Sequence, residues 1–125
     1  MIDWTKYPNF KSSEFDSKSS DGVDTGELMQ ECLLDKLQIA RNRYNKPMRI
    51  ISGYRTASHN KAVKGKPNSA HLRGYAVDIS CTSSRQRLEM VMVLLLAGFE
   101  RIGIGKTFIH VDCDPSLPEK VMFLY

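Results

Sequence analysis

The segment Ser69-Ala70-His71-Leu72-Arg73-Gly74-Tyr75-Ala76-Val77-Asp78 limits the possible folds more than any other part of the chain. From Tyr75 to Ser80 the residues alternate, with Tyr75, Val77 and Ile79 set against Ala76, Asp78 and Ser80. That is the period-two pattern of a strand with one buried face. Asp78 stands on the other face between two small residues, which leaves room over its carboxylate. Gly74 separates this strand from His71 and permits a tight turn or a close backbone approach. A second alternating stretch, Phe108-Ile109-His110-Val111-Asp112, puts Phe108, His110 and Asp112 on one face and Ile109 and Val111 on the other. A fold that buries both apolar faces is free to gather His71, Asp78 and His110 at one point.

Two imidazoles and one carboxylate are the ligand set of a catalytic zinc with one position left open. The residues alone leave other readings in place. Asp78 also reads as a strand carboxylate facing water, and His110 as a buried imidazole with a hydrogen-bond partner. With zinc, the site would acidify a water and polarise a carbonyl, so the implied reaction is amide hydrolysis.

The bulk properties set bounds. A chain of 125 residues, 42% hydrophobic and 26% charged, fits one soluble domain with a real core. The net charge of +4 is spread out, with small groups at Arg41-Asn42-Arg43 and Lys61 to Lys66. Nucleic-acid binders concentrate such charge on one face, so no nucleic-acid partner is expected. Weak attraction to a polyanionic surface such as a bacterial wall fits the charge, as does plain solubility. Cys32, Cys81 and Cys113 make neither a disulfide framework nor a C-x-x-C pair. All three are expected to be reduced, with Cys32 facing the core, as in a protein made in a reducing compartment. Met1 to Lys6 lacks the basic and apolar regions of a signal peptide. The longest apolar run, Met90 to Ala97, is too short to span a bilayer, so no membrane partner is expected.

Residues 1–24 are predicted to be an arm that docks through Trp4, Tyr7, Phe10 and Phe15, within a single domain spanning 1–125. The spacing of Leu28, Met29, Cys32, Leu33, Leu37, Ala40 and Tyr44 predicts a helix over 26–44, capped by Asp24 or Thr25. A second helix is expected over 82–97. Ser83 and Gln86 form its capping box, Gly98 stops it, and its apolar last turns should be deeply buried. Short strands are expected at 48–52, 75–80, 101–104, 107–113 and 121–125, with a short helix or turn over 55–63. The fold class is α+β, a small, mainly antiparallel sheet flanked by two long helices.

The pattern S-x-H-x-x-G-x-A-x-D at Ser69 to Asp78 resembles the zinc D-Ala-D-Ala carboxypeptidases and L-alanyl-D-glutamate endopeptidases of bacterial peptidoglycan. The Hedgehog signalling domain is their distant structural relative. Ser52-Gly53-Tyr54-Arg55-Thr56, His59-Asn60-Lys61-Ala62-Val63 and Phe108 to Asp112 extend the resemblance. Asn9 to Phe15 and Pro115 to Tyr125 are similar to the small phage and prophage branch.

The resemblance implies zinc held by His71, Asp78 and His110. It also implies that Arg55 grips a substrate carboxylate with its planar fork and that Ser69 lines the same pocket. The partner it implies is bacterial peptidoglycan peptide, cleaved by a monomer. A phage lysin or virion-associated enzyme, made in the cytoplasm and acting on the wall after release, fits the missing signal. One departure stands out. Many members carry an acid three residues before the last zinc histidine, or a histidine two before it, where this chain has Thr107 and Phe108. Asp112, on the face of His110, is then the candidate either for general base or for orienting an imidazole. A catalytically weakened, zinc-containing wall-binding module is the alternative reading.

Overall fold

A computed structural model describes residues 1–125. Five strands form one sheet in the order β1-β2-β4-β3-β5. They are β1 (Ile50–Ser52), β2 (Ala76–Ser80), β3 (Arg101–Ile104), β4 (Phe108–Asp112) and β5 (Val121–Leu124). All neighbours pair antiparallel except β3 with β5, which are parallel. Three helices accompany the sheet: α1 (Glu31–Tyr44), the short α2 (Ala57–Ala62) and α3 (Ser84–Leu96). The α+β architecture expected from the sequence is the one observed.

The alternation sorts the sheet into two unlike faces. Val77 and Ile79 of β2, Ile102 of β3, and Ile109 and Val111 of β4 are buried with Leu33 and Leu37 of α1 and Met90 and Leu94 of α3. Removing these apolar side chains from water is the main stabilising term, about 1.5–3 kcal/mol for each fully buried one. Near the start of the chain, Tyr7, Phe10 and Phe15 lie in the same core and Trp4 packs against it. Tyr7 also donates a 2.6 Å hydrogen bond from its hydroxyl to Asp35.

The first helix is shorter than its periodicity suggests. Thr25–Leu28 forms a separate 3-10 turn, and α1 begins at Glu31 after an extended Gln30. Tertiary contacts break the helix here. The Gln30 backbone N–H donates to Gly74 O at 3.0 Å, and its side chain donates to Arg73 O at 3.1 Å. Asp24 caps the 3-10 turn without a side-chain bond, and Gln30 stands at the N-cap of α1. Cys32, in the first turn of α1, is exposed rather than core-facing.

The end signals of α3 hold. Ser83 Oγ accepts from Gln86 N, Gln86 reaches back to Thr82 N, and Gly98 takes a left-handed φ of 102°. Its deep burial does not hold. Met90 and Leu94 are buried, whereas Leu88, Met92, Leu95 and Leu96 are exposed. One stripe suffices to cover the sheet, and α1 occupies the space beside it. No helix is long and apolar enough to cross a membrane.

Candidate metal centre

The face opposite the core carries the site. Cross-strand register sets Ser52 beside Asp78, Asp78 beside His110, and His110 beside Gly103, in one row. Two of the three predicted ligands are therefore direct neighbours in adjacent strands. His71 arrives from a different kind of element. It lies in a 3-10 turn, Ala70–Arg73, immediately before β2. Ser69 Oγ caps that turn by accepting from His71 N, and Gly74 closes it at φ 78°. At Gly74 the chain passes so close to the carbonyl of Leu28 that a Cβ would collide with it. The sequence therefore needs glycine here for two reasons, the left-handed φ and the space.

One ligand atom from each of His71, Asp78 and His110 lies within 4.8 Å of the others, and all three residues are buried. His71 Nδ1 is 2.7 Å from Gly53 O. A carbonyl only accepts, so Nδ1 carries the proton and Nε2 presents a lone pair. That Nε2 is buried without a hydrogen-bond partner and lies 3.3 Å from Asp78 Oδ1. On the other side, His110 Nε2 is 2.7 Å from Asp112 Oδ2, and His110 Nδ1 is 2.9 Å from Asp78 Oδ1. With Nε2 donating to Asp112, Nδ1 is the His110 nitrogen that faces Asp78, and it offers a lone pair once its proton is displaced.

One nitrogen from each imidazole and a carboxylate oxygen thus converge, an arrangement that could hold a cation. The donor set fits zinc. Tetrahedral ligands at about 2.0–2.1 Å from the ion sit about 3.3 Å from each other, close to the separations of Asp78 Oδ1 from the two imidazoles.

The titration behaviour follows from the same contacts. Burial lowers the pKa of His71, against a pull from Asp78, and keeps the ring neutral. Burial opposes the charge on His110 as well, but the carboxylates of Asp112 and Asp78 outweigh it and raise this pKa. For Asp78, burial alone would raise the pKa, and the adjacent imidazoles of His110 and His71 outweigh it and hold it well below the usual carboxylate range.

The trio forms the floor of a cleft of about 650 Å³. Arg55 and Ser69 both line it, as does Asp112. Arg55 is anchored by Ser52 Oγ at 3.1 Å, Asn60 Oδ1 at 3.3 Å and Asp78 Oδ2 at 3.3 Å. Asp112 is 1% exposed, and both its oxygens are engaged. Oδ1 accepts from Arg101 Nε at 2.7 Å, while Oδ2 accepts from His110. Its partner nitrogen on His110 is the one turned away from Asp78. His59, the remaining histidine, lies on α2 and is not a lining residue.

Four participants escaped the sequence reading. Gly53 contributes only a carbonyl, which leaves no trace in residue type. Arg101 clamps Asp112, and its guanidinium also lies 5.6 Å from the Phe123 ring centroid. Phe123 and Tyr125 line the cleft, their rings 5.8 and 6.1 Å from that of His110. A readable signal did exist: Gly103 on β3 and Gly105 just past its end stand two residues apart. A Cβ on Gly103 would lie 2.5 Å from Phe123 and 2.6 Å from Tyr125, so the rings occupy space that the glycine leaves open.

Comparison with curated proteins found no match. A family model does match, described as Peptidase M15, over residues 8–114. That span holds His71, Asp78, His110, Arg55 and Asp112 and stops short of Phe123 and Tyr125. The resemblance carried by the segment Ser69 to Asp78 is thus matched over most of the sequence, and the chain belongs to the Peptidase M15 family.

Proposed function

We propose that the chain is a zinc-dependent peptidase that hydrolyses bonds in the stem peptides of bacterial peptidoglycan, by carboxypeptidase action on D-Ala-D-Ala or endopeptidase action at L-Ala-D-Glu. The observation that carries this reading is the unpartnered, buried Nε2 of His71 facing Asp78 Oδ1. Every other polar atom around it has a partner that fixes its role, and this nitrogen has none without an ion. His71, Asp78 and His110 would hold the zinc. When bound, it would supply a Lewis acid that polarises the scissile carbonyl and makes a water nucleophilic near neutral pH.

The residues of the chain supply the rest. Gly53 O and Asp112 each take the outer proton of one imidazole and fix which nitrogen is offered. Arg55 lines the cleft while resting on Asp78, and in this reading it would bind a substrate carboxylate. Ser69 sets the turn that aims His71. Phe123 and Tyr125 wall one side of the cleft. For Asp112 this reading favours orienting His110 over acting as general base. Its two oxygens are engaged, one by Arg101 and one by the His110 nitrogen turned away from Asp78.

Digestion of purified peptidoglycan by zinc-loaded and chelator-treated chain, with the new termini identified, tests the proposal. Release of D-Ala or of a new D-Glu amino terminus only with zinc supports it and assigns the bond. No new terminus from any wall preparation would overturn it.

A second reading is favoured by one observation: apart from Asp78 and Asp112, no carboxylate lines the cleft. A chain without a free base there would retain zinc and bind wall peptide while cutting it slowly. Saturable binding to peptidoglycan with zinc present and no released amine would select this reading. A phage or prophage lysin, made in the cytoplasm and delivered to the wall on release, is the setting that fits the sequence.

A further inference from the structure

Cys32 Sγ and Cys113 Sγ lie 3.3 Å apart, although 81 positions separate them in sequence. Cys32 stands in the first turn of α1 and is exposed, and Cys113 directly follows β4 and is partly exposed. Nothing in the proposed chemistry uses either thiol. The third cysteine, Cys81, is buried and has no such neighbour. Nothing in their spacing points to the pair, because the two residues meet only once the end of β4 has been laid beside the start of α1.

Cys113 also occupies a particular place. Asp112 before it is clamped by Arg101 and binds His110, and Asp114 after it is bound by Arg73 Nε at 2.7 Å. Its own N–H donates to Tyr75 O at 3.1 Å. Its side chain alone points from this buried stretch towards α1.

We propose that Cys32 and Cys113 are an oxidative modification site, closed to an intramolecular disulfide by small-molecule disulfides such as oxidised glutathione. The Cys32 thiol loses its proton and attacks one sulfur of the oxidant, releasing one glutathione thiolate and leaving a mixed disulfide. Cys113 then loses its proton and displaces the second glutathione. Two S–H bonds are broken and one protein S–S bond is formed, while the oxidant's S–S bond is reduced to two thiols. Burial first, and the Cys32 sulfur second, raise the pKa of Cys113 well above the ordinary thiol value. This suits it to resolve the mixed disulfide rather than to attack first. A reducing surrounding keeps the pair open. An oxidising one staples α1 to the end of the strand that carries His110 and Asp112.

The test treats the purified full chain with oxidised glutathione, followed by intact mass, peptide mapping without reductant and thermal melting. The expected result is a loss of two hydrogen masses, a cross-linked peptide pair holding Cys32 and Cys113, and Cys81 still open to alkylation after unfolding. Closing so long a loop is expected to raise the Tm by about 5–10 °C over the reduced chain. In Cys113→Ser and Cys32→Ser the link and the Tm rise both disappear, while the reduced variants melt close to the reduced parent. Stable glutathione adducts on the parent chain, intermolecular dimers in place of the internal link, or a link with no rise in Tm would each overturn the proposal.

Discussion

The turn that carries His71 and the strand that carries His110 solve the same problem by opposite means. Each must present one imidazole nitrogen to Asp78 and have the other nitrogen tied down. For His71 the tie is a backbone carbonyl, Gly53 O, and the aim depends on a capped 3-10 turn and a left-handed glycine. For His110 the tie is a charged side chain, Asp112, itself held by Arg101, and the aim comes directly from strand register. A backbone tie has no charge and cannot be removed by substituting its owner, so the weak point of the turn is its conformation. A carboxylate tie raises the basicity of its imidazole and can be deleted, so the weak point of the strand is a side chain.

The largest effect is expected where the two halves meet. Asp78 faces both imidazoles, so Asp78→Ala should abolish zinc retention through dialysis and bring peptidase activity to background. Metal content equal to the parent would show that the histidines do not depend on it. On the strand side, Asp112→Ala should weaken zinc binding by about 10–100-fold. Asp112→Asn should cost much less, because its carboxamide oxygen still accepts from His110 Nε2. Turnover lost in the Asn variant with zinc content intact would instead mark Asp112 as the base.

On the turn side, Gly74→Ala should destabilise the fold by about 1–3 kcal/mol, read as a lowered Tm. An unchanged Tm would mean that the left-handed turn is not needed to aim His71. Next in size, Arg55→Lys should raise KM roughly tenfold with a smaller change in kcat, since an ammonium lacks the planar fork. A change confined to kcat would place Arg55 at the reacting atoms instead.

The smallest effect separates the histidines by charge. The pKa of His110 is raised in the metal-free chain, whereas that of His71 is lowered. The stabilising contribution of His110 is therefore complete below its ordinary value of about 6.5 and fades as the pH rises through the raised one. A metal at Nδ1 displaces that proton, so zinc uptake at neutral pH should release about one proton, and affinity should climb with pH. Calorimetry in buffers of different ionisation enthalpy reads this directly. No released proton would place both rings in the same neutral state before binding.

The two halves also differ in how legible they were. Alternation in Tyr75 to Ser80 and in Phe108 to Asp112 announced both strands and their site faces, because period two is a local property of the backbone. His71 could be named from its neighbours, yet the 3-10 turn and its reliance on Gly53 could not, since they arise from chain segments distant in sequence. The same holds for the break at Met29 and Gln30, where bonds to Arg73 and Gly74 override a good helical pattern. The exposed side of α3 and the meeting of Cys32 with Cys113 were hidden for that reason too. Apolar spacing says which residues prefer burial, while the layout of the sheet decides how much cover there is.

The glycines of β3 have a consequence for how such a cleft can change. Phe123 and Tyr125 rest on the space left open over Gly103, and Tyr125 is 66% exposed. They hang over the floor without interlocking with the core behind the sheet. β5, the edge strand that positions them, lies outside the span matched to the family. The aromatic wall of the cleft and the row of Asp78 and His110 are therefore written in different strands. A change in one wall of the cleft therefore need not disturb the register of Asp78 and His110 beneath it.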